Sequence, residues 1–292
     1  MKLLKDQMIT CKHAIFGLKF FSMVTAFGLL GIGSMSANAA IINLTTTNSE
    51  GTSGGAIFKQ NDTNETSGTG SLDPFVRIQS NQLQTQGFNT SLGPMSQVNT
   101  SPNFTRDFQL SSLNDQIVNI SGTDYYQFIL DINEPNSNPE FLLTIQTLEI
   151  RTSSTQLDFT NLATDQQKQS FLFNNSTGRY SLGGDSILLN ANLESGSGRA
   201  DMLALIPVSF FSTAMQTDWV YLYTTFGWLT NTQGWPAGSQ QNGNFEEWGT
   251  IKGGVVIPEP STYIFGFLVV GALVWQERSR ITAIARKFAV LN

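Results

Sequence analysis

Cysteine and histidine are almost absent from this sequence. The chain of 292 residues contains one Cys and one His, and both of them, Cys11 and His13, lie within the first 39 residues. Residues 40–256 therefore offer no disulfide, no Cys or His metal ligand and no nucleophile that depends on a His base. We expect no cofactor, and we expect burial of apolar side chains alone to stabilise this stretch.

Positive charge is also scarce between residues 40 and 256. This stretch holds eight Lys and Arg residues against 19 Asp and Glu, a net charge of −11, and the whole-chain value of −6 hides the imbalance. Such a surface repels phosphate backbones and anionic lipids, so we expect no nucleic-acid partner. Cations and neutral polymers are compatible with this charge.

No stretch of the mature region keeps a 3.6-residue apolar period over three helical turns, although residues 162–169 are long enough for one or two turns. Short runs with period two recur instead, typical of strands with one buried face. We predict an all-β fold, an antiparallel β-sandwich of jelly-roll or immunoglobulin-like type, over residues 103–256. The predicted strands cover 103–110, 116–120, 123–132, 142–152, 170–173, 186–193, 202–208, 219–226 and 245–251.

One of these strands changes phase. Its apolar residues pass from Leu143 and Ile145 to Leu148 and Ile150, which predicts a β-bulge or a short break between them. Residues 40–102 are richer in Asn, Ser, Thr and Gly, and we predict a partly flexible segment with one short strand near residues 56–59.

The first 39 residues have the three-part order of a secretory signal peptide. Four lysines precede an apolar run at residues 20–33, and Ala37 and Ala39 supply the small residues that signal peptidase accepts. The run holds 14 residues, fewer than the roughly 20 that span a bilayer. We predict cleavage after Ala39 and export.

The C-terminal residues 257–292 hold a second three-part pattern. The motif Pro258, Glu259 and Pro260 precedes an apolar run, predicted as a transmembrane helix over about residues 261–276, and a basic tail follows it. The prolines favour an extended segment around Glu259. The tail obeys the positive-inside bias with Arg278, Arg280, Arg286 and Lys287.

This pattern resembles the PEP-CTERM sorting signal, which exosortases recognise. The resemblance implies an exported protein that is held in the inner membrane by its C-terminal helix, is processed by an exosortase, and then reaches the cell surface or the extracellular space. Two features depart from the family pattern: the apolar run is short for a span, and 12 residues follow Arg280. Segments of the mature chain are also similar to secreted PEP-CTERM proteins, a group that implies no activity, at residues 125–136, 142–153, 195–207, 219–227 and 242–250.

Few residues offer chemistry. The turn that contains Asp131 and Asn133 is oxygen-rich and suits Ca²⁺, but a solvated turn explains it as well. The carboxylates available for acid–base work are Asp131, Asp158, Asp201, Glu246 and Glu247. Glu246 and Glu247 are adjacent, so on a strand they point to opposite faces and are not themselves a catalytic pair.

Aromatic residues concentrate in the C-terminal third of the chain. Trp228 and Trp235, set among polar and turn residues, are the candidates for stacking on sugar rings. We therefore expect a non-catalytic surface or matrix protein with no catalytic residue. The alternatives are a carbohydrate-binding module that contacts extracellular polysaccharide and, less favoured, a carboxylate-dependent glycan hydrolase or lyase.

Overall fold

The fold is mostly β. A computed structural model describes residues 39–61, 72–79, 84–135, 141–193, 200–227 and 245–253. Its strands are β1 Ile41–Leu44, β2 Glu50–Ser53, β3 Ala56–Gln60, β4 Leu72–Ile78, β5 Gln84–Phe88, β6 Phe108–Gln109, β7 Ile117–Ile120, β8 Thr123–Ile132, β9 Leu142–Ser153, β10 Thr177–Ser181, β11 Ser186–Asn190, β12 Met202–Pro207, β13 Trp219–Gly227 and β14 Glu246–Ile251. One α-helix, α1, covers Asp165–Asn175, and short 3-10 helices cover Leu110–Gln116 and Val208–Phe211.

The strands form two seven-stranded sheets. Sheet A has the order β1-β11-β9-β13-β5, with β10 beside β9 and β6 beside β13. Sheet B has the order β2-β3-β12-β8-β14-β4, with β7 beside β8. The predicted antiparallel pairing is correct except at one edge of sheet A, where β1 runs parallel to β11.

A single apolar core draws its side chains from both sheets. Phe75 on β4 packs on Phe108 of β6 with ring centroids 4.9 Å apart, and Phe58 on β3 contacts Tyr180 of β10 at 6.1 Å. Trp248 on β14 is completely buried in the same core. This arrangement is consistent with a β-sandwich.

Residues 40–102 contribute five strands, β1 to β5, to the two sheets. The sheets therefore begin before residue 103, although the composition of this segment separates it from the rest. The short strand predicted near residues 56–59 is β3.

The predicted bulge lies in β9. Thr225 of β13 pairs with Thr147, whereas the next residue, Phe226, pairs with Ile145. Gln146 is therefore the extra residue, at the point where the apolar phase changes.

The strand predicted over residues 170–173 is wrong, because these residues belong to α1. Thr164 begins the helix with a capping box: its hydroxyl accepts a bond from the backbone N–H of Gln167, whose side chain accepts one from the Thr164 N–H. Leu172 is buried, and Phe171 and Phe173 pack beside it. Three consecutive apolar residues hide the helical period, which is why the sequence favoured a strand.

The strand predicted over residues 103–110 is also largely wrong. Only β6 is extended and paired there, and a 3-10 helix follows it. The alternating residues instead attach a loop to β4: the Arg77 guanidinium lies 3.3 Å from the centre of the Phe104 ring, and Arg106 forms an ion pair of 2.7 Å with Asp73. Within the described ranges, no helix has the length and apolar character needed to cross a bilayer.

Candidate ligand-binding groove and buried carboxylates

A polar groove of about 850 Å³ opens on the face of sheet A that carries α1. Its floor comes from three neighbouring strands, β5, β13 and β9, and its walls come from residues 96–97 and the first half of α1. The floor side chains are mostly amides and hydroxyls, from Gln84, Gln86, Gln146, Thr147, Tyr223 and Thr225.

The strand register explains how residues distant in sequence meet in this floor. Thr225 on β13 lies opposite Gln86 on β5 and Thr147 on β9, which makes a polar row across three strands. Two residues further along β13, Gly227 lies opposite Gln84.

The bulge in β9 adds a further amide to the groove. Gln146, the extra residue, accepts a hydrogen bond on its Oε1 from Gln84 Nε2 at 2.7 Å. The two glutamines lie on the strands that flank β13, so their hydrogen bond spans that strand. A regular β9 would place the side chain of residue 146 on the opposite face of the sheet.

Tyr223 connects the floor to the helix. Its hydroxyl accepts a hydrogen bond from Gln169 Nε2 at 2.7 Å and donates one to Gln86 Oε1 at 2.8 Å. Burial raises the pKa of Tyr223 to about 12, and the negative charge of Asp165 adds to the increase. The hydroxyl therefore keeps its proton at neutral pH and holds both glutamine side chains in fixed orientations.

The wall is fastened by Asp165, the first residue of α1. Its two carboxylate oxygens accept hydrogen bonds from the backbone N–H and the hydroxyl of Ser96. Gln97 beside it accepts a hydrogen bond from the backbone N–H of Gln86 at 2.9 Å. These contacts fix the distance between wall and floor.

The groove is nearly uncharged and has no aromatic platform within the described part of the chain. Asp165 is the charged residue in its lining, and the lining includes no Lys or Arg. The Tyr223 side chain is only 2% exposed, so its ring is not available for stacking. The arrangement suits a neutral ligand rich in hydroxyl groups.

A second polar cleft, of about 500 Å³, lies at the other end of α1. Asn174 and Asn175 line it together with Arg179, whose guanidinium donates hydrogen bonds to the hydroxyls of Thr152 and Thr213. The helix thus separates two polar recesses.

No family model, no curated protein and no solved structure matches the chain.

Several predicted site residues lie outside the described residues, among them Trp228 and Trp235, the motif Pro258, Glu259 and Pro260, the basic tail residues Arg278, Arg280, Arg286 and Lys287, and Ala37 of the leader. Ala39 is described and exposed.

The second notable feature is a set of buried carboxyl groups where β8 ends and β12 and β14 begin. Glu246 is completely buried, and its Oε2 accepts a hydrogen bond from the Asn133 N–H at 3.1 Å. Burial raises the pKa of Glu246 well above its ordinary value, and the negative charge of the neighbouring Glu134 raises it further. Asp201, also buried, accepts a hydrogen bond from the Ile132 N–H at 2.7 Å.

Glu247 points away from Glu246, as the sequence predicts for adjacent strand residues. Its Oε1 lies 2.6 Å from Arg77 Nε, and Asp131 is its register partner on β8. Both Glu247 and Asp131 are buried, so Arg77 supplies the positive charge that compensates Glu247.

Among the described residues at this end of sheet B, the carboxyl groups are buried. Glu246 has no exposed surface, and Asp158, the other predicted carboxylate, lies in an exposed loop where hydrogen bonds from Thr160 lower its pKa. Among the described residues, no three Asp, Glu, His or Cys side chains are placed to hold a metal ion. The Ca²⁺ site at Asp131 and Asn133 stays a prediction.

Sequence reasoning missed the groove entirely. Its lining side chains come from parts of the chain 60 to 140 residues apart, such as Gln84, Gln146 and Tyr223. One sequence signal lay near it, the phase change in β9 between Ile145 and Leu148, and the strand register then identifies Gln146 as the extra residue.

Proposed function

We propose that this chain is an exported, non-catalytic protein of the cell surface or extracellular matrix, and that its β domain binds extracellular polysaccharide in the groove. The observation that carries this proposal is the orientation of the groove amides. Within the described part of the chain, Gln86 uses its Oε1 and Gln169 its Nε2 on Tyr223, while the other end of each amide forms no internal hydrogen bond.

These amide ends match the chemistry of a sugar. Gln86 presents a donor and Gln169 an acceptor, and a sugar hydroxyl both donates and accepts. Because the amides are already oriented, binding costs little side-chain entropy, which favours affinity. The hydroxyls of Thr147 and Thr225 add groups of the same kind to the floor.

Charge favours neutral polymers over acidic ones. Asp165 repels uronate or sulfate groups in the groove, and the net charge of −11 between residues 40 and 256 acts in the same direction at longer range. The hydrolase or lyase alternative has less support, because a glycosidase needs two carboxyl groups that reach the substrate and Glu246 is fully buried.

The proposal also covers how the protein reaches the surface. Signal peptidase removes residues 1–39, the helix over about residues 261–276 holds the chain in the inner membrane, and an exosortase processes it near Pro258 to Pro260. Between these signals the two sheets form a sandwich of jelly-roll or immunoglobulin-like topology. Support comes from the order of the sequence signals.

A glycan array with the purified full-length protein tests the binding half of the proposal. We expect signals on neutral polysaccharide fragments and none on polyuronates or sulfated glycans. Replacement of Trp228 and Trp235 by Ala on the same array tests the stacking prediction separately. If the protein bound no neutral glycan, the proposal that the groove binds polysaccharide would be wrong.

Mass spectrometry of the C-terminus tests the sorting half. In a host with an exosortase, we expect the mature protein to lack the residues after the Pro258 to Pro260 motif. Replacing Pro258 and Pro260 by Ala should leave export intact and trap uncut protein in the membrane fraction, because Glu259 is then free to join the following helix. An extracellular wild-type protein that still ends at Asn292 would contradict sorting.

A further inference from the structure

The residue that follows the predicted signal-peptide cleavage site is already paired with a carboxylate. The backbone nitrogen of Ala40 lies 2.7 Å from Asp185 Oδ1 and donates a hydrogen bond to it. This is the position where cleavage after Ala39 would create a free amino terminus.

Asp185 is oriented for this contact by groups other than Ala40. Its second carboxylate oxygen, Oδ2, accepts a hydrogen bond from the Ser53 hydroxyl at 2.6 Å. The next residue, Ser186, donates its backbone N–H to the Ala40 carbonyl at 2.9 Å. Ala40 is therefore held on both sides of its α-carbon, at the first rung of the parallel β1–β11 pair.

We infer that Asp185 is a receptor for the mature amino terminus: signal peptidase cuts after Ala39, and the new Ala40 ammonium forms an ion pair with Asp185. The inference rests on the proposed export. In the reaction, water hydrolyses the peptide bond, Ala39 leaves with a carboxylate, and Ala40 gains a protonated amine. A hydrogen bond from a neutral amide to the Asp185 carboxylate becomes one between ions of opposite sign.

The ion pair lies at the start of β1, where it can stabilise an edge strand. β1 is an edge strand of sheet A, held by its parallel pairing with β11. It places Ile42 and Leu44 in the core, where both are buried. An ion pair at Ala40 limits fraying of β1 from its free end. Cleavage therefore stabilises the packing of Ile42 and Leu44 in the core.

Hydrogen exchange of the β1 amides in the processed protein tests the inference. The matched comparison is a chain with one Gly inserted between Ala39 and Ala40, which keeps the cleavage site and moves the ammonium one residue away from Asp185. In the native-length protein we expect Asp185→Asn to speed exchange at Ile42 and Leu44 about fivefold, the scale of a well-oriented surface ion pair. In the Gly-inserted protein the same substitution should change exchange less than twofold.

N-terminal sequencing of both proteins accompanies the exchange measurement. A native-length mature protein that begins at a residue other than Ala40 overturns the inference and leaves export intact. Equal effects of Asp185→Asn in the two proteins also overturn it, since the charge then plays no part. A chain that is never cut or exported contradicts the proposed export itself.

Discussion

Two polar regions of this molecule differ in the charge and the burial of their side chains. The groove on sheet A uses neutral amides and hydroxyls that are partly exposed and bonded to one another through Tyr223. The carboxyl cluster on sheet B buries charge, with Arg77 beside Glu247 and a completely buried Glu246 beside Glu134. In the groove, the Gln86 and Gln169 amides each keep one end that can bond to a ligand. The carboxyl groups of the cluster interact within the protein instead.

The contrast indicates which region binds and which constrains the fold. Neutral groups at the surface exchange water for ligand at low cost, but a buried charge without a partner costs several kcal/mol. We therefore expect substitutions in the carboxyl cluster to change stability strongly, and substitutions in the groove to change binding more than stability.

The largest effect is expected for Arg77→Met. The substitution leaves Glu247 buried beside Asp131 without its counter-ion, and breaking a buried ion pair in this way costs about 3–5 kcal/mol. Urea unfolding followed by circular dichroism measures the change. In the double variant Arg77→Met with Glu247→Met most of the loss should disappear, and equal losses in both variants would refute the charge explanation.

The next effect is a gain in stability for Glu246→Gln. Because the folded-state pKa of Glu246 is raised, its contribution to stability is fully present below the ordinary carboxyl pKa and is lost as the pH rises through the raised value. At neutral pH the neutral amide should increase the free energy of unfolding by about 1–3 kcal/mol.

Unfolding at a series of pH values from 4 to 8 checks this sign. The wild-type protein should lose stability as the pH rises above the ordinary carboxyl pKa, and Glu246→Gln should show a flatter profile. Asp158→Asn is the matched control, since its carboxyl is exposed and its pKa is lowered. A flat wild-type profile would mean that Glu246 does not titrate as its burial indicates.

A smaller stability effect, with a clear binding effect, is expected for Tyr223→Phe. Loss of the hydroxyl releases Gln86 and Gln169, whose amides can then bond to water in the groove, so the stability cost should be about 1 kcal/mol. Affinity for a neutral glycan should fall about tenfold as the amides lose their orientation. Thermal unfolding and calorimetric titration of the same sample measure both. A loss of stability without a loss of affinity would place the ligand elsewhere.

The smallest effect is expected for Thr164→Ala. The substitution removes the N-cap of α1, and loss of such a cap costs about 0.5–1 kcal/mol. Thr164→Ser keeps the hydroxyl and should restore most of the stability in thermal unfolding. If the two variants behave alike, the cap does not hold the wall of the groove.

Sequence patterns predicted the bounds of β8, β9 and β13 to within a residue. They also indicated an irregularity between Ile145 and Leu148, because a phase change is a local signal, and the bulge lies there at Gln146. They failed where tertiary contacts override local pattern: Phe171 to Phe173 resemble a strand yet pack along a helix, and Phe104 and Arg106 alternate yet bind a loop to β4.

The site was less predictable for a physical reason. Gln86, Thr225 and Thr147 become neighbours only through the lateral order of three strands, which no local pattern encodes. The burial of both Glu246 and Glu247 was equally hidden, because a pair of charged residues ordinarily indicates a solvated strand.

Calorimetric titration of a neutral glycan from the array into wild-type protein, Gln86→Ala and Gln166→Ala tests the central claim most directly. Gln86 lines the groove floor, whereas Gln166 is exposed on α1 and outside the lining. We expect Gln86→Ala to weaken binding about tenfold, the scale of one or two lost hydrogen bonds, and Gln166→Ala to bind like the wild type. Equal affinities for all three proteins would contradict binding in the groove.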